Sequence, residues 1–503
     1  MSLDPPTYLS SLRNNIRARP IPWDGAVRAG TITEEQLTRI RAVDKVRKEQ
    51  RKRTVEEDLD AYRTLLLGGE EGGARSILEA AARRADVVQY VLVLLGDLLE
   101  GSQTLVDGLV EHENTYAPFL PLMAQATSPE EAIPLLTSTA LTTLLAREST
   151  TNPKGRPASD DALPILYKYL STLAKSSDSG LQDIAVMGYS SLLRSRRSRE
   201  LFWEHRDVTI EPLISILRTA AGVSASGESA ASLWSTSATS RTGAEGFING
   251  GIDLQLLYHV LLVMWQLSFE GAAIGDGLEE YAAPPVPPLL LDQMLTSYSE
   301  YDVIPLFTQL LRLSPKEKTT RLLVSTLYNL ISGNPKSLLP AAALVRLPAL
   351  LQNVNGRHLT DPDLTEDLTA LSELLEEHTK TQTTFDQYAA EVDSGHLRWS
   401  PPHRNTVFWA ENARRILEHD NGHLPKKLAE IIAKPWDNDK QVLAIVCNDV
   451  GCLVKEVPEK RQQLERLGLK TRIMELMAEP DESVRWESLR AVGEWLRYSF
   501  ETK

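Results

Sequence analysis

Apolar residues recur three and four positions apart through almost the whole chain. No stretch alternates apolar with polar residues long enough to build a strand. The pattern predicts an all-α protein. Several helix starts are spelled out in side chains. Thr33-Glu34-Glu35-Gln36 places a hydroxyl at the N-cap and a long polar side chain three residues on, so that each answers the other's backbone N–H. Ser128-Pro129-Glu130-Glu131 and Ser314-Pro315-Lys316-Glu317 repeat the box with Pro at the first helical position, where no backbone hydrogen bond is lost. The most apolar stretch, Leu254 to Phe269, is interrupted by Gln255, His259 and Gln266 and falls short of the roughly 20 residues that cross a bilayer. It predicts a buried core helix.

A degenerate repeat underlies the helical spacing. Pro118, Pro212 and Pro305 each sit in a similar phrase, with apolar residues one, two and five positions further on, and each predicts the first turn of a helix. The phrases lie about twice the roughly 40–47-residue period of a HEAT or armadillo unit apart. The phrase returns without Pro at Arg472–Met477. An acidic turn follows in which Asp481 predicts a cap, and then a helix with Val484, Leu489, Val492 and Leu496 on one apolar face. Paired helices of this kind predict an armadillo/HEAT-like α-solenoid, whose repeats bury their apolar faces only against their neighbours. Two segments interrupt it. Residues 222–246 are rich in Ser, Ala and Gly and predict a flexible insertion. Asn, Gly and Pro break the helices between Asn353 and Asp363, where Asp361-Pro362 starts a new one. The expected organisation is an N-terminal solenoid domain over 1–352, a short hinge over 353–363 and a C-terminal domain over 364–503.

Composition narrows the function classes. Among 503 residues, 54 Lys and Arg against 68 Asp and Glu leave a net charge of −14, the wrong sign for a general nucleic-acid binder. Two Cys exclude a disulfide scaffold and fit a reducing compartment. Ser2 to Pro22 is polar with scattered Arg and reads as neither a signal peptide nor a transit peptide. No constellation of residues carries catalytic or ligand chemistry. Gly68 to Gly73 is Gly-rich but acidic and lacks the Lys-Ser/Thr of a phosphate loop, which leaves a loop cap. Gly275-Asp276-Gly277 has no third Gly and no preceding strand. Cys447 and Cys452 have no His at ligand spacing and read as inert thiols. His419 and His423 are separated by an Asn-Gly turn and read as solvated. The expectation is no catalytic residue, no cofactor and no metal. Two basic clusters stand out. Lys45 to Arg53 reads as a solvated helix face. Arg194, Arg196, Arg197 and Arg199 are open to two readings, a charged inter-repeat loop or a docking patch for an acidic helix.

From Phe385 to Ile416 the chain reads FDQYAAEVDSGHLRWSPPHRNTVFWAENARRI, and here it resembles the H-subunit family of the vacuolar-type proton-pumping ATPases. That family's W-S-P-x-H…FW…N signature falls on Trp399, Ser400, Pro401, His403, Phe408, Trp409 and Asn412. The resemblance continues through VLAIVCNDVG to the terminus, reappears in Leu254–Glu270 and Asp302–Leu330, and includes WDGAVRAGTITEEQ from Trp23 as the family's first helix pair. It implies a non-catalytic regulatory subunit, one copy per assembly, on the cytosolic face of vacuolar and other acidifying membranes. Its partners would be the stator stalk, the catalytic sector and the cytosolic part of the membrane-sector collar, with neither nucleic acid nor membrane insertion. In the assembled pump it would support ATP-driven proton transport; on the detached catalytic sector it would silence hydrolysis. A generic armadillo or HEAT adaptor is the alternative. The bulky aromatics of the signature predict packing at the start of the C-terminal domain. The loop Lys434-Pro435-Trp436-Asp437-Asn438-Asp439-Lys440 is where the resemblance would put the inhibitory contact. Lys434, Trp436, Asp437, Asp439 and Lys440 are its candidate contact residues, with Trp436 either anchoring a partner or folding back onto its own helices.

Overall fold

The structure is a computed structural model that describes residues 7–69, 73–124, 128, 130–152, 156–222, 254–269, 302–314, 316–381, 383–436 and 439–501. Every regular element among them is helical, as the apolar spacing predicts. The insertion expected over 222–246 lies outside the described residues beyond Gly222, as does Gly275–Gly277. Contacts divide the chain into two units, one formed by residues 1–220 with 247–269, the other taking in the described residues 302–501.

In the first unit most helices pack on near neighbours in the chain, as a solenoid requires. Ala132–Thr151 lies on Ala85–Gly101 and Ser179–Leu192, and Pro157–Ala174 lies on Ser179–Leu192 and Arg206–Ala220. Leu254–Ser268 is the buried core helix expected from its sequence. Its polar interruptions have partners: His259 Nδ1 is 2.5 Å from Asp183 Oδ1, and Gln266 Nε2 donates to the Ser190 carbonyl at 3.1 Å. No helix among the described residues is long and apolar enough to cross a membrane.

The helix starts are partly corrected. The Thr33–Gln36 box forms as expected, with Gln36 N–H donating to Thr33 Oγ1 at 3.1 Å and Thr33 N–H to Gln36 Oε1 at 3.0 Å. Ser128 instead closes a separate turn, its N–H donating to Glu131 Oε1 at 3.2 Å, and the helix begins at Ala132. Ser314 ends the preceding helix and turns its hydroxyl to Thr319 Oγ1 at 2.6 Å, so the next helix starts at Glu317 without it. Pro305 occupies the first turn of Val303–Leu313 as expected, and Pro118 sits in the turn just before Leu120–Ala124. Pro212, by contrast, lies inside Arg206–Ala220. A proline has no N–H for the carbonyl four residues back, which here is that of Val208. Ser171 Oγ supplies the missing donor at 2.6 Å, so the helix continues through.

The polar N-terminus holds a further helix, Thr7–Ala18, ahead of the pair that begins at Trp23. It packs on both Ala85–Gly101 and Ser179–Leu192, helices far apart in sequence. Leu9 and Ile16 are buried by it. Arg13 reaches Glu100 at 2.6 Å, and Arg17 pairs with Asp97, which Arg51 also approaches at 3.3 Å. Gly96 makes room: a Cβ there would stand 3.2 Å from the Arg13 guanidinium.

In the second unit Lys440–Glu456 is the central helix, buried from Val442 to Val454 and packed mainly against Glu482–Glu501. The two cross closely because Gly451 faces Ala491, whose Cα would lie 3.1 Å from a Cβ at 451. Asp481 caps the last helix as expected, accepting the Val484 N–H at 2.9 Å. The expected apolar face is corrected: Val484, Ser488, Ala491 and Trp495 are buried, while Leu489 and Leu496 are exposed. The close crossing at Ala491 rotates the small residues inward. Between Asn355 and Pro362 the chain leaves one helix and starts another, where the Asp361 carboxylate accepts the N–H groups of Asp363 (3.1 Å) and Leu364 (3.3 Å). Glu317 accepts the Asp361 N–H at 2.8 Å and the Thr360 hydroxyl at 2.7 Å, and Pro362–Thr381 packs on Glu317–Gly333.

Candidate functional site

The signature segment folds around two buried carboxylates. Pro401 opens a one-turn helix that ends at Arg404, and Asn405 then caps the next, its Oδ1 accepting from Val407 N–H (3.0 Å) and Phe408 N–H (3.3 Å). This short double turn sends His403 inward until 1% of it is exposed. Its Nδ1 lies 2.8 Å from both oxygens of Asp449, and its Nε2 is 3.3 Å from Glu391 Oε1, too poorly aimed for a hydrogen bond. Asp449 also accepts from Tyr388 Oη at 3.2 Å and Asn448 Nδ2 at 3.0 Å; Glu391 accepts from Ser400 Oγ at 2.6 Å and Arg398 N–H at 2.5 Å. Burial alone would depress the imidazole. The Asp449 carboxylate, the hydrogen bond to it and Glu391 outweigh that and lift it to about 10. Burial pushes the Asp449 carboxyl up, against the pull of His403. One buried imidazolium thus ties together three segments, and His403, Asp449 and Glu391 are all buried.

The rest of the signature clasps this cluster. Trp409 Nε1 donates to the His403 carbonyl at 3.2 Å, and Phe408 and Trp409 are both buried against Tyr388. Asn412 Nδ2 donates to the Phe408 carbonyl at 3.0 Å, and the Arg404 guanidinium lies 4.4 Å over the half-buried Trp399.

The candidate contact residues are placed as follows. Arg197 makes a two-pronged contact with Asp160 (3.2 and 3.0 Å), Arg196 pairs with Glu200 at 3.1 Å, and Arg199 donates to the Leu193 carbonyl at 3.0 Å. Arg194 is exposed. In the 434–440 loop Trp436 is half-buried against the domain core, its Nε1 donating to the Ile431 carbonyl at 2.7 Å. Lys434 is exposed, Asp439 precedes the Lys440 helix, Lys440 pairs with Glu479 at 2.9 Å, and Asp437 lies outside the described residues. The patch and the loop belong to different units.

Of the other sequence candidates, burial pushes the thiols of Cys447 and Cys452 up to about 12, which keeps both protonated and unreactive at neutral pH. His423 faces Asp393 at 3.0 Å, and His419 stacks edge-on to Phe385. Arg51, in the basic 45–53 run, turns back to the Val43 carbonyl at 3.0 Å.

Two surface features have no counterpart in the sequence pattern. Trp486, 67% exposed, lies with Leu489 and Leu496 on the outer side of the last helix. A cleft of about 520 Å³ opens between Pro340–Ala349 and Glu391–Pro402, with Arg346 and Arg398 in its wall. Its basic residues come from separate helices and loops, so no motif or period marks it.

The comparisons cover the chain nearly end to end. One family model, described as the V-ATPase H subunit, matches residues 7–286 and 291–375, and a second with the same description matches 381–500. The V-type proton ATPase H subunit of Drosophila melanogaster is 26% identical over 500 residues, spanning 97% of this chain and 89% of that protein. The probable H subunit of Oryza sativa subsp. japonica is 26% identical over 491 residues and 94% of each chain. The first of two probable H subunits of Caenorhabditis elegans is 32% identical over 242 residues, about half of each. With helical repeats throughout and both models aligned in order along it, this chain belongs to the V-ATPase H-subunit family.

Proposed function

We propose that this chain is a non-catalytic regulatory subunit of a V-type proton-pumping ATPase. The observation that carries the reading is the order and reach of the family matches, 7–286 with 291–375 and then 381–500, which leave unmatched only the short ends and the gaps 287–290 and 376–380. In the same reading it binds the stator stalk as one copy per assembly on the cytosolic face of the membrane. It supports proton transport in the assembled pump and silences ATP hydrolysis in the detached catalytic sector. The bend at 353–363 serves as the hinge. Arg194 with its neighbours, and the Lys434–Lys440 loop, are its contact surfaces. The test is ATP hydrolysis by detached catalytic sector with and without this chain. The expected result is loss of hydrolysis when it is added, and its partial return when Trp436, Asp437 and Asp439 are replaced by Ala and Ser. Hydrolysis that continues unchanged in the presence of the parent chain overturns the reading.

A further inference from the structure

The cleft between Pro340–Ala349 and Glu391–Pro402 presents two arginines that no ion pair among the described residues holds, although Glu391 and Asp439 attract Arg398 from further off. Arg346 is exposed, and no hydrogen-bond or ion-pair partner for its guanidinium exists among the described residues. Arg398 is half-buried, and its Nη2 is fully buried without a hydrogen-bond partner. An unpaired buried donor is costly, and native proteins seldom keep one without a purpose. The hydrogen bonds of Glu391 go to Ser400 and the Arg398 backbone, so it and Asp439 act on the Arg398 guanidinium through charge alone. Arg312, behind the wall, donates to the Val345 carbonyl at 2.9 Å. Burial and then the Arg346 charge hold Arg312 below its ordinary value. His396, also in the wall, is held at about 4 by burial and then by Arg398 and Lys434. Two arginines therefore line the cleft, with Arg312 and Lys434 beside them, in a chain whose net charge is −14.

We propose that this cleft is a docking site for an acidic peptide segment of a partner protein, with carboxylates seated between Arg346 and Arg398. The remaining walls argue for a peptide. Pro340, Pro348, Pro401 and Pro402 are stiff and apolar, and a space of about 520 Å³ is far larger than one small anion fills. Paired arginines in an apolar groove recognise acidic motifs by charge-assisted, two-pronged hydrogen bonds. A second copy of this chain would bring its own net charge of −14 and be repelled at a distance. The site lies apart from the Arg194 patch but borders the 434–440 loop, whose Lys434 and Asp439 act on its wall; the experiment below reads peptide binding and not ATP hydrolysis, so its failure and that of the regulatory reading are distinguishable.

The test uses the full chain and a fluorescein-labelled peptide of sequence LPEELLPEELL, followed by anisotropy at low and high salt. Binding is expected to weaken about tenfold in Arg346→Gln and again in Arg398→Gln, the size of one charge-assisted bond each, and to fall with salt. Arg83→Gln, at an exposed arginine of the other unit, is the control and is expected to bind as the parent does. Equal binding by the parent and the Arg346→Gln variant overturns the proposal. So does equal binding of the same peptide with every Glu replaced by Gln, or full displacement by inorganic phosphate at equal concentration, which would mark a small-anion site. Self-association of the parent that Arg346→Gln abolishes, without any peptide binding, would assign the cleft to a second copy instead and also overturns it.

Discussion

Arg13 and Arg17 lie on the first helix in ion pairs with Glu100 and Asp97, whereas Arg346 and Arg398 face a cleft and are held in no ion pair among the described residues. Both regions set arginines against helices a long way off in sequence. They differ in what the neighbouring carboxylates are already doing. Asp97 is free to sit between Arg17 and Arg51, so the first helix is clasped to the unit beneath it. Glu391 is not free, because His403, Ser400 and the Arg398 backbone already hold it. The role of a surface arginine therefore follows from the prior engagements of the acids around it, which composition alone does not reveal.

The largest effect that can break this contrast is at His403. Replacing it with Ala leaves Asp449 buried without its cation, a change that costs about 3–5 kcal/mol. It also releases Glu391 toward Arg398. Urea unfolding should show the second unit melting early, and an unchanged midpoint would refute the account of the cluster. The pH dependence has a definite sign. His403 is raised from an unfolded value near 6.5 to about 10, so its contribution is complete below about 6.5 and is lost as pH rises through about 10. The Ala variant should lose that slope.

A smaller effect tests the clasped region. Ile16→Ala removes a fully buried side chain from the first helix and should cost about 2–5 kcal/mol of first-unit stability if the helix is part of the core. Rapid amide exchange over residues 7–18 in the parent chain would show instead that the helix is loosely held. The smallest effect sharpens the contrast. Arg346→Gln should leave the melting temperature of the chain within the change produced by about 0.5 kcal/mol, since it breaks no contact. Arg17→Gln, which breaks one, should lower it by up to about 1 kcal/mol, its pair being partly exposed. Equal losses in the two variants would erase the distinction.

The helical class was legible because apolar spacing is a local signal, and the Thr33 box formed where its letters stood. Ser128 and Ser314 carried the same letters, but nearby side chains claimed Ser314 and a separate turn claimed Ser128 before either could cap a helix. The last helix departs from its pattern for another reason. Leucines predict a buried stripe, yet the close contact of Gly451 with Ala491 turns the face of Val484, Ser488, Ala491 and Trp495 inward, so Leu489 and Leu496 turn outward. His403 was visible as a letter of the signature, but its partner Asp449 lies 46 positions on, beyond any local window. The cleft was invisible for the same reason, since Arg312, Arg346 and Arg398 meet only after folding.

The first helix also sets an order of events during synthesis. Thr7–Ala18 is made well before one of the two helices it rests on, Ser179–Leu192, which comes some 160 residues later. At about 5–20 residues per second that is a delay on the order of ten to thirty seconds. Throughout that interval Leu9, Ile16 and the surface they will cover are exposed together at the ribosome. The helix is therefore made well before it can settle in its unit, and any factor that attends the nascent chain has that interval in which to meet it.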